Sequence, residues 1–178
     1  GFIGVIIWPI FPYAWRWRIV TLWNRFVMFW LRVCCGIRFE IHGERRRDLF
    51  PCVVMAKHQS NWETMVLQYY FGPVSTILKK ELFRIPFFGW GLASLRPIAI
   101  DRSSPIQALK EIKKIGLHRL QQGNNLMIFP EGTRTLGYPA NPLNPLSRST
   151  ALIATRAGVP VQTVIIEFSS PYLGKGWP

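Results

Sequence analysis

The chain has 178 residues, enough for one domain with a real core. Hydrophobic residues make up 49% and charged residues only 17%, yet the net charge is +13 because acids are scarce. Three cysteines without a CxxC pair exclude a disulfide framework, and no His/Cys cluster has the spacing of a metal site. A reducing compartment follows.

An apolar, basic chain with eight tryptophans fits an anionic lipid surface. Nucleic acid also selects for positive charge. Here the basic residues are scattered among Trp, Phe and Leu with no nucleic-acid motif, so no nucleic-acid partner is expected.

Residues Gly1 to Tyr13 are almost wholly apolar but fall short of the roughly 20 residues a bilayer requires. Pro9 and Pro12 interrupt them, so they read as the end of a spanning helix or as a segment lying in the interface. From Tyr13 to Cys35 the pattern predicts a helix. Arg18, Arg25 and Arg32 recur every seven residues and share one stripe; Arg16, Trp23 and Trp30 share another. Ile19, Leu22, Phe26, Phe29 and Val33 run between them. A broad apolar face with an Arg edge and Trp at its boundary is the pattern of an interfacial helix; the alternative is a helix docked on its own domain with its arginines in water. Residues 1–36 are therefore expected to be a membrane-associated helical segment, and residues 37–178 an α/β domain.

Gly36 ends the helix, and Ile37 to Ile41 alternates like a strand. A polar loop, Gly43 to Asp48, carries Arg45-Arg46-Arg47. Cys52–Ala56, Val74–Leu78, Ile98–Ile100, Leu126–Phe129 and Val161–Phe168 read as strands. Helices are expected over Ser60–Tyr70, from Ser104-Pro105 to Gly123 with Gln107 completing a capping box, and over Ser147–Ala157. Alternating strands and helices indicate an α/β layered fold with a mostly parallel sheet flanked by helices. Asn141 to Pro145 reads as a lid loop. Phe83, Phe87, Phe88 and Trp90, after Lys79-Lys80, are readable as acyl-channel lining, as a membrane-dipping patch or as core.

In such folds ligands gather beyond the carboxyl ends of the strands. Two motifs stand there: Lys57-His58-Gln59-Ser60-Asn61-Trp62-Glu63 and Phe129-Pro130-Glu131-Gly132-Thr133-Arg134. On one continuous helix His58 and Glu63 would lie about 140° apart. They meet only if His58 sits on the turn and Glu63 in the first helical turn, with Ser60 as cap. Glu63 then fixes the imidazole tautomer and His58 acts as general base. The competing reading is that Ser60-Asn61-Trp62-Glu63 is only a capping box. No GxSxG elbow or other protein nucleophile is evident, so the substrate is expected to supply the hydroxyl in an acyl transfer to an alcohol. Gly132, Thr133 and Arg134 suit an anionic substrate, with Arg102 a second cation and Glu131 positioned to orient Arg134 or touch substrate.

These residues resemble the glycerolipid acyltransferases of the 1-acylglycerol-3-phosphate acyltransferase type. His58 to Glu63 matches that family's first motif, with Glu where many members have Asp and Lys57 where many have Asn. Ile100-Asp101-Arg102 matches the second, Phe129 to Arg134 the third and Val159-Pro160-Val161 the fourth. The amino-terminal stretch resembles the membrane-docking helices of bacterial members. The resemblance implies that His58 deprotonates a lysophospholipid hydroxyl, which attacks an acyl thioester of coenzyme A or acyl carrier protein. Arg102 and Arg134 would hold the acceptor phosphate, and no tightly bound cofactor is expected. The implied acceptor is lysophosphatidic acid, giving phosphatidic acid, at the cytoplasmic face of a bacterial inner membrane. Alternatives are another lysophospholipid or a lipid A precursor as acceptor, and a catalytically silent membrane subunit.

Overall fold

The computed structural model describes residues 11–44, 46–58, 60, 62–86, 88–101, 103–130 and 145–166. Its frame is a five-stranded sheet built from β1 (Val53–Ala56), β2 (Val74–Lys79), β3 (Ile98–Ile100), β4 (Asn125–Ile128) and β5 (Val161–Val164). The strand order is β3-β2-β4-β1-β5, and every neighbouring pair is parallel. The expected mostly parallel α/β fold is thus present.

The side-chain alternation of the strands sorts the core into two layers. Val53, Leu126 and Ile128 face one side, where they meet Ala108, Ile112 and Leu120 of α4 (Pro105–Gln121) and Ile153 and Ala154 of α5 (Pro145–Ala157). Val54, Ala56, Met127 and Phe129 face the other, against Leu67 of α2 (Trp62–Tyr70) and Phe71. A short α3 (Phe88–Ala93) and a 3-10 turn (Lys80–Arg84) fill the connection between β2 and β3. Neither was expected from periodicity. Gly89 permits their contact: a Cβ there would lie 2.6 Å from the Phe83 carbonyl carbon.

Asn125 joins the ends of three segments. Its amide donates to Phe71 O at 2.6 Å, its side-chain oxygen accepts from Cys52 N–H at 2.8 Å, and its own N–H donates to Pro73 O at 2.9 Å. The side chain is 1% exposed, so each of these buried backbone groups depends on it or its neighbours for a partner.

The helix α1 (Tyr13–Cys35) lies outside α2 and is inverted relative to an ordinary surface helix. Thr21, Asn24 and Met28 are its buried residues. Asn24 donates to Gln68 Oε1 at 2.9 Å and to Met65 O at 3.3 Å. Leu22, Trp23, Phe26, Phe29, Trp30 and Val33 are instead exposed, from 46% for Trp30 to 63% for Trp23. Arg18, Arg25 and Arg32 are exposed as well. Gly36 ends the helix in a left-handed conformation, φ 67°, and Ile37 N–H closes back on Leu31 O at 3.2 Å.

Two local expectations are corrected. Residues 37–41 form no strand and join no described strand of the sheet: Ile37, Phe39 and Ile41 are all exposed, Phe39 resting edge-on against Trp62 at 5.2 Å between ring centroids. Ser104 precedes α4 but makes no side-chain cap hydrogen bond, so the expected capping box there is absent.

Candidate active site

The order of the strands determines where a site can form. From β1 the chain moves through α2 to β2 on one face of the sheet; from β4 it moves through α5 to β5 on the other. β1 and β4 are adjacent, with Met55 level with Ile128. Their carboxyl ends therefore bound the crevice left where successive connections diverge to opposite faces, the usual ligand position in an open α/β sheet. His58 leaves β1 at this edge and Phe129 leaves β4 beside it.

His58 Nδ1 lies 2.9 Å from Glu63 Oε1. The same oxygen accepts the Ser60 N–H at 2.6 Å, and Glu63 Oε2 accepts the Ser60 hydroxyl at 2.5 Å. Ser60 Oγ in turn accepts the Trp62 N–H at 3.0 Å, capping the first turn of α2. The two sequence readings of Glu63 are therefore both present. It closes a reciprocal cap on its own helix and hydrogen-bonds the imidazole, through one shared oxygen.

Glu63 is 0% exposed, while the His58 side chain is 18% exposed. Burial pushes the Glu63 carboxyl up. Hydrogen bonds from His58, from the Ser60 hydroxyl and from the Ser60 backbone outweigh it and bring the carboxyl down to about 2. An ionised carboxylate has no proton to donate, so the proton between the pair belongs to His58 Nδ1. Nε2 is then the basic nitrogen. The imidazole stacks on Phe129, with ring centroids 4.3 Å apart and planes inclined by 27°. Glu63 fixes the tautomer and Phe129 fixes the plane.

Phe129 is the site residue that sequence reasoning missed in this role. Its signal was available: alternation along β4 puts Phe129 on the same side as Met127, the side that α2 covers. Of the other predicted site residues, Arg102, Glu131, Gly132, Thr133 and Arg134 lie outside the described residues. Next to Arg102, Asp101 accepts the Ser103 N–H at 2.9 Å and the Ser103 hydroxyl at 2.6 Å, and these bonds hold its carboxyl below the ordinary range. No group of His, Cys, Asp or Glu among the described residues could hold a metal ion.

Comparison with known proteins places the chain in context. The family model described as "Acyltransferase" matches residues 38–167. A 1-acyl-sn-glycerol-3-phosphate acyltransferase from Pseudomonas aeruginosa is 43% identical over 178 residues, covering 99% of this chain and 68% of that protein. A lyso-ornithine lipid O-acyltransferase from the same organism is 30% identical over 151 residues, covering 84% of this chain and 56% of that protein. Among solved structures, the 1-acyl-sn-glycerophosphate (LPA) acyltransferase from Thermotoga maritima superposes with a TM-score of 0.59 at 23% identity. That match covers 82% of this chain and 55% of the other, and it bears on the fold alone. The chain thus spans between about half and two thirds of the length of these proteins.

Proposed function

This chain belongs to the acyltransferase family, and we propose that it moves an acyl chain from a thioester donor to the free hydroxyl of lysophosphatidic acid, giving phosphatidic acid. The observation that carries the reading is the hydrogen-bonded His58–Glu63 pair at the crevice of the sheet. A base of this kind suits a reaction in which the substrate brings the attacking oxygen.

In this mechanism His58 Nε2 takes the proton of the acceptor hydroxyl as its oxygen attacks the thioester carbonyl. The C–S bond breaks, and the departing thiolate takes the proton back from the imidazolium. Ester and thiol are the products, and the imidazole is regenerated. The ionised Glu63 stabilises the transient imidazolium and keeps Nδ1 protonated. Arg102 and Arg134 hold the acceptor phosphate, Thr133 and the Gly132 backbone add donors, and Glu131 orients Arg134. The donor is an acyl chain on coenzyme A or acyl carrier protein.

The reading also puts the domain on a membrane, at the cytoplasmic face of a bacterial inner membrane. What supports surface docking is α1, which buries Thr21, Asn24 and Met28 and leaves Trp23, Phe26, Phe29 and Trp30 exposed beside Arg18, Arg25 and Arg32. No described helix is long and apolar enough to cross a bilayer. A second reading of the acceptor, another lysolipid, is favoured by the likeness to the lyso-ornithine lipid enzyme.

The deciding experiment measures thiol release from acyl-coenzyme A and acyl-carrier protein by the wild type and His58→Ala, with a panel of lysolipids including lysophosphatidic acid. Release that requires lysophosphatidic acid and falls by about 10²–10⁴ in the variant is the expected outcome. Equal turnover in both proteins removes His58 from the chemistry. Turnover only with other lysolipids replaces the acceptor and keeps the mechanism.

A further inference from the structure

A cluster of cations lies at the edge of the sheet opposite to His58. Arg96 lies two residues before β3 and Arg119 in the last turn of α4, ahead of β4; both are at the amino ends of strands whose carboxyl ends face the site described above. Arg16 joins them from the first turn of α1. With Phe83, Pro97 and Ala99 they line a cavity of about 350 Å³.

Tyr13 anchors the cluster. Its hydroxyl accepts from Asn124 Nδ2 at 3.1 Å and donates to Leu95 O at 3.4 Å. The Arg96 guanidinium sits 4.0 Å from the centre of the Tyr13 ring, with that of Arg16 at 6.0 Å. Three features of the cluster are unusual for a packing device. Arg96 is the one described non-glycine residue with positive φ, 54°, a conformation that costs free energy for a long side chain and is retained where the surroundings demand it. The Nε of Arg119 is buried without a hydrogen-bond partner, while its Nη1 donates to Gln122 Oε1 at 2.9 Å. Among the described residues, no acid lines the cavity and no ion pair involves Arg96 or Arg119. Burial first, and then the charge of Arg96, push Arg119 below its ordinary value, the direction expected for a cation buried beside another.

We propose that this cavity is an anion site for a phosphate group, separate from the crevice at His58 and independent of the acyltransferase reading. Three guanidinium groups converging on one apolar-walled space match the charge and the several acceptor oxygens of a phosphate, which arginine meets with paired N–H donors. The phosphate has two sources: the headgroup of an anionic lipid, reached beside Trp15, which is 55% exposed on the same turn of α1, or a phosphate free in solution.

The test uses the full chain and a double variant, Arg96→Asn with Arg119→Gln. Asn suits the left-handed backbone at position 96, and Gln keeps a donor toward Gln122. A second double variant, Arg18→Gln with Arg25→Gln, removes the same charge from the exposed side of α1 and serves as control. Thermal unfolding is followed while inorganic phosphate replaces chloride at constant ionic strength. Binding is followed by flotation with phosphatidylcholine vesicles that contain or lack phosphatidylglycerol. A midpoint that rises with phosphate in the wild type and control, but not in the cavity variant, supports the site with free phosphate as occupant. No phosphate effect, but a loss of phosphatidylglycerol-dependent binding about tenfold beyond that of the control, supports it with the lipid headgroup as occupant. A cavity variant that matches the control in both assays overturns the proposal. Should the double variant not fold, Arg119→Gln alone is read in the same two assays, with Arg119→Lys expected to restore part of the response.

Discussion

Glu63→Gln separates two jobs that one side chain performs. The amide keeps the shape of the carboxylate and one acceptor oxygen, so the Ser60 N–H and His58 Nδ1–H retain a partner, and the helix cap survives. What disappears is the charge. In the wild type the carboxyl falls from an ordinary 4.5 to about 2 on folding, so the folded state binds fewer protons than the unfolded chain between those values. That difference corresponds to about 3 kcal/mol of stability. It is fully present above pH 4.5 and is lost as pH falls toward 2. Urea unfolding followed by tryptophan fluorescence, repeated across this window, is expected to show a decline in the wild type that the Gln variant lacks. The same substitution removes the negative charge that stabilises the imidazolium formed when His58 takes the hydroxyl proton. Acyl transfer is then expected to fall by about 10²–10⁴ at neutral pH. If the variant retains turnover within a few-fold of wild type, the charge of Glu63 is not part of the mechanism. If both proteins decline alike with acid, the carboxylate is not held ionised as described.

Asn125→Ala is expected to cost about 2–4 kcal/mol, because it leaves the Phe71 carbonyl and the Cys52 N–H buried without their partner; urea unfolding reads the loss, and a change under 1 kcal/mol argues against the bracing role. Gly89→Ala forces a methyl against the Phe83 backbone and is expected to destabilise by about 1–3 kcal/mol, visible as a lower thermal midpoint; a neutral result means α3 can shift away at little cost. Changing Trp23, Phe26 and Trp30 together to Ser is expected to weaken liposome binding at least tenfold, the loss that burial of even one such side chain, roughly 1.5–3 kcal/mol, would give, while leaving folding within about 1 kcal/mol. Unaltered liposome binding excludes this face of α1 from the membrane contact.

The parallel sheet was legible because its strands are short apolar runs punctuated by glycine and proline, as in Val53-Val54-Met55-Ala56 and Leu126-Met127-Ile128-Phe129. The His58–Glu63 contact was legible because capping chemistry allowed a single geometry in which the two could meet. The segment Ile37 to Ile41 misled because alternation describes only a chain that is able to pair, and this one joins no described strand. The helical turns between Lys80 and Ala93 were hidden for the opposite reason. Their glycines and proline suppress local propensity, and they are held by the close approach that Gly89 permits. Phe129 beneath the imidazole depends on the register between β1 and β4, which neither strand encodes alone.

The inward polar side of α1 also sets an angle. Apolar faces slide and rotate against each other at little cost, whereas the donation from Asn24 to Gln68 and Met65 is directional and leaves the helix one rotation about its axis. A turn of one residue would swing Asn24 through about 100°, taking it out of reach and carrying an aromatic ring toward α2. The bonds therefore index the helix like a key in a slot and fix the direction in which Trp23, Phe26 and Trp30 face.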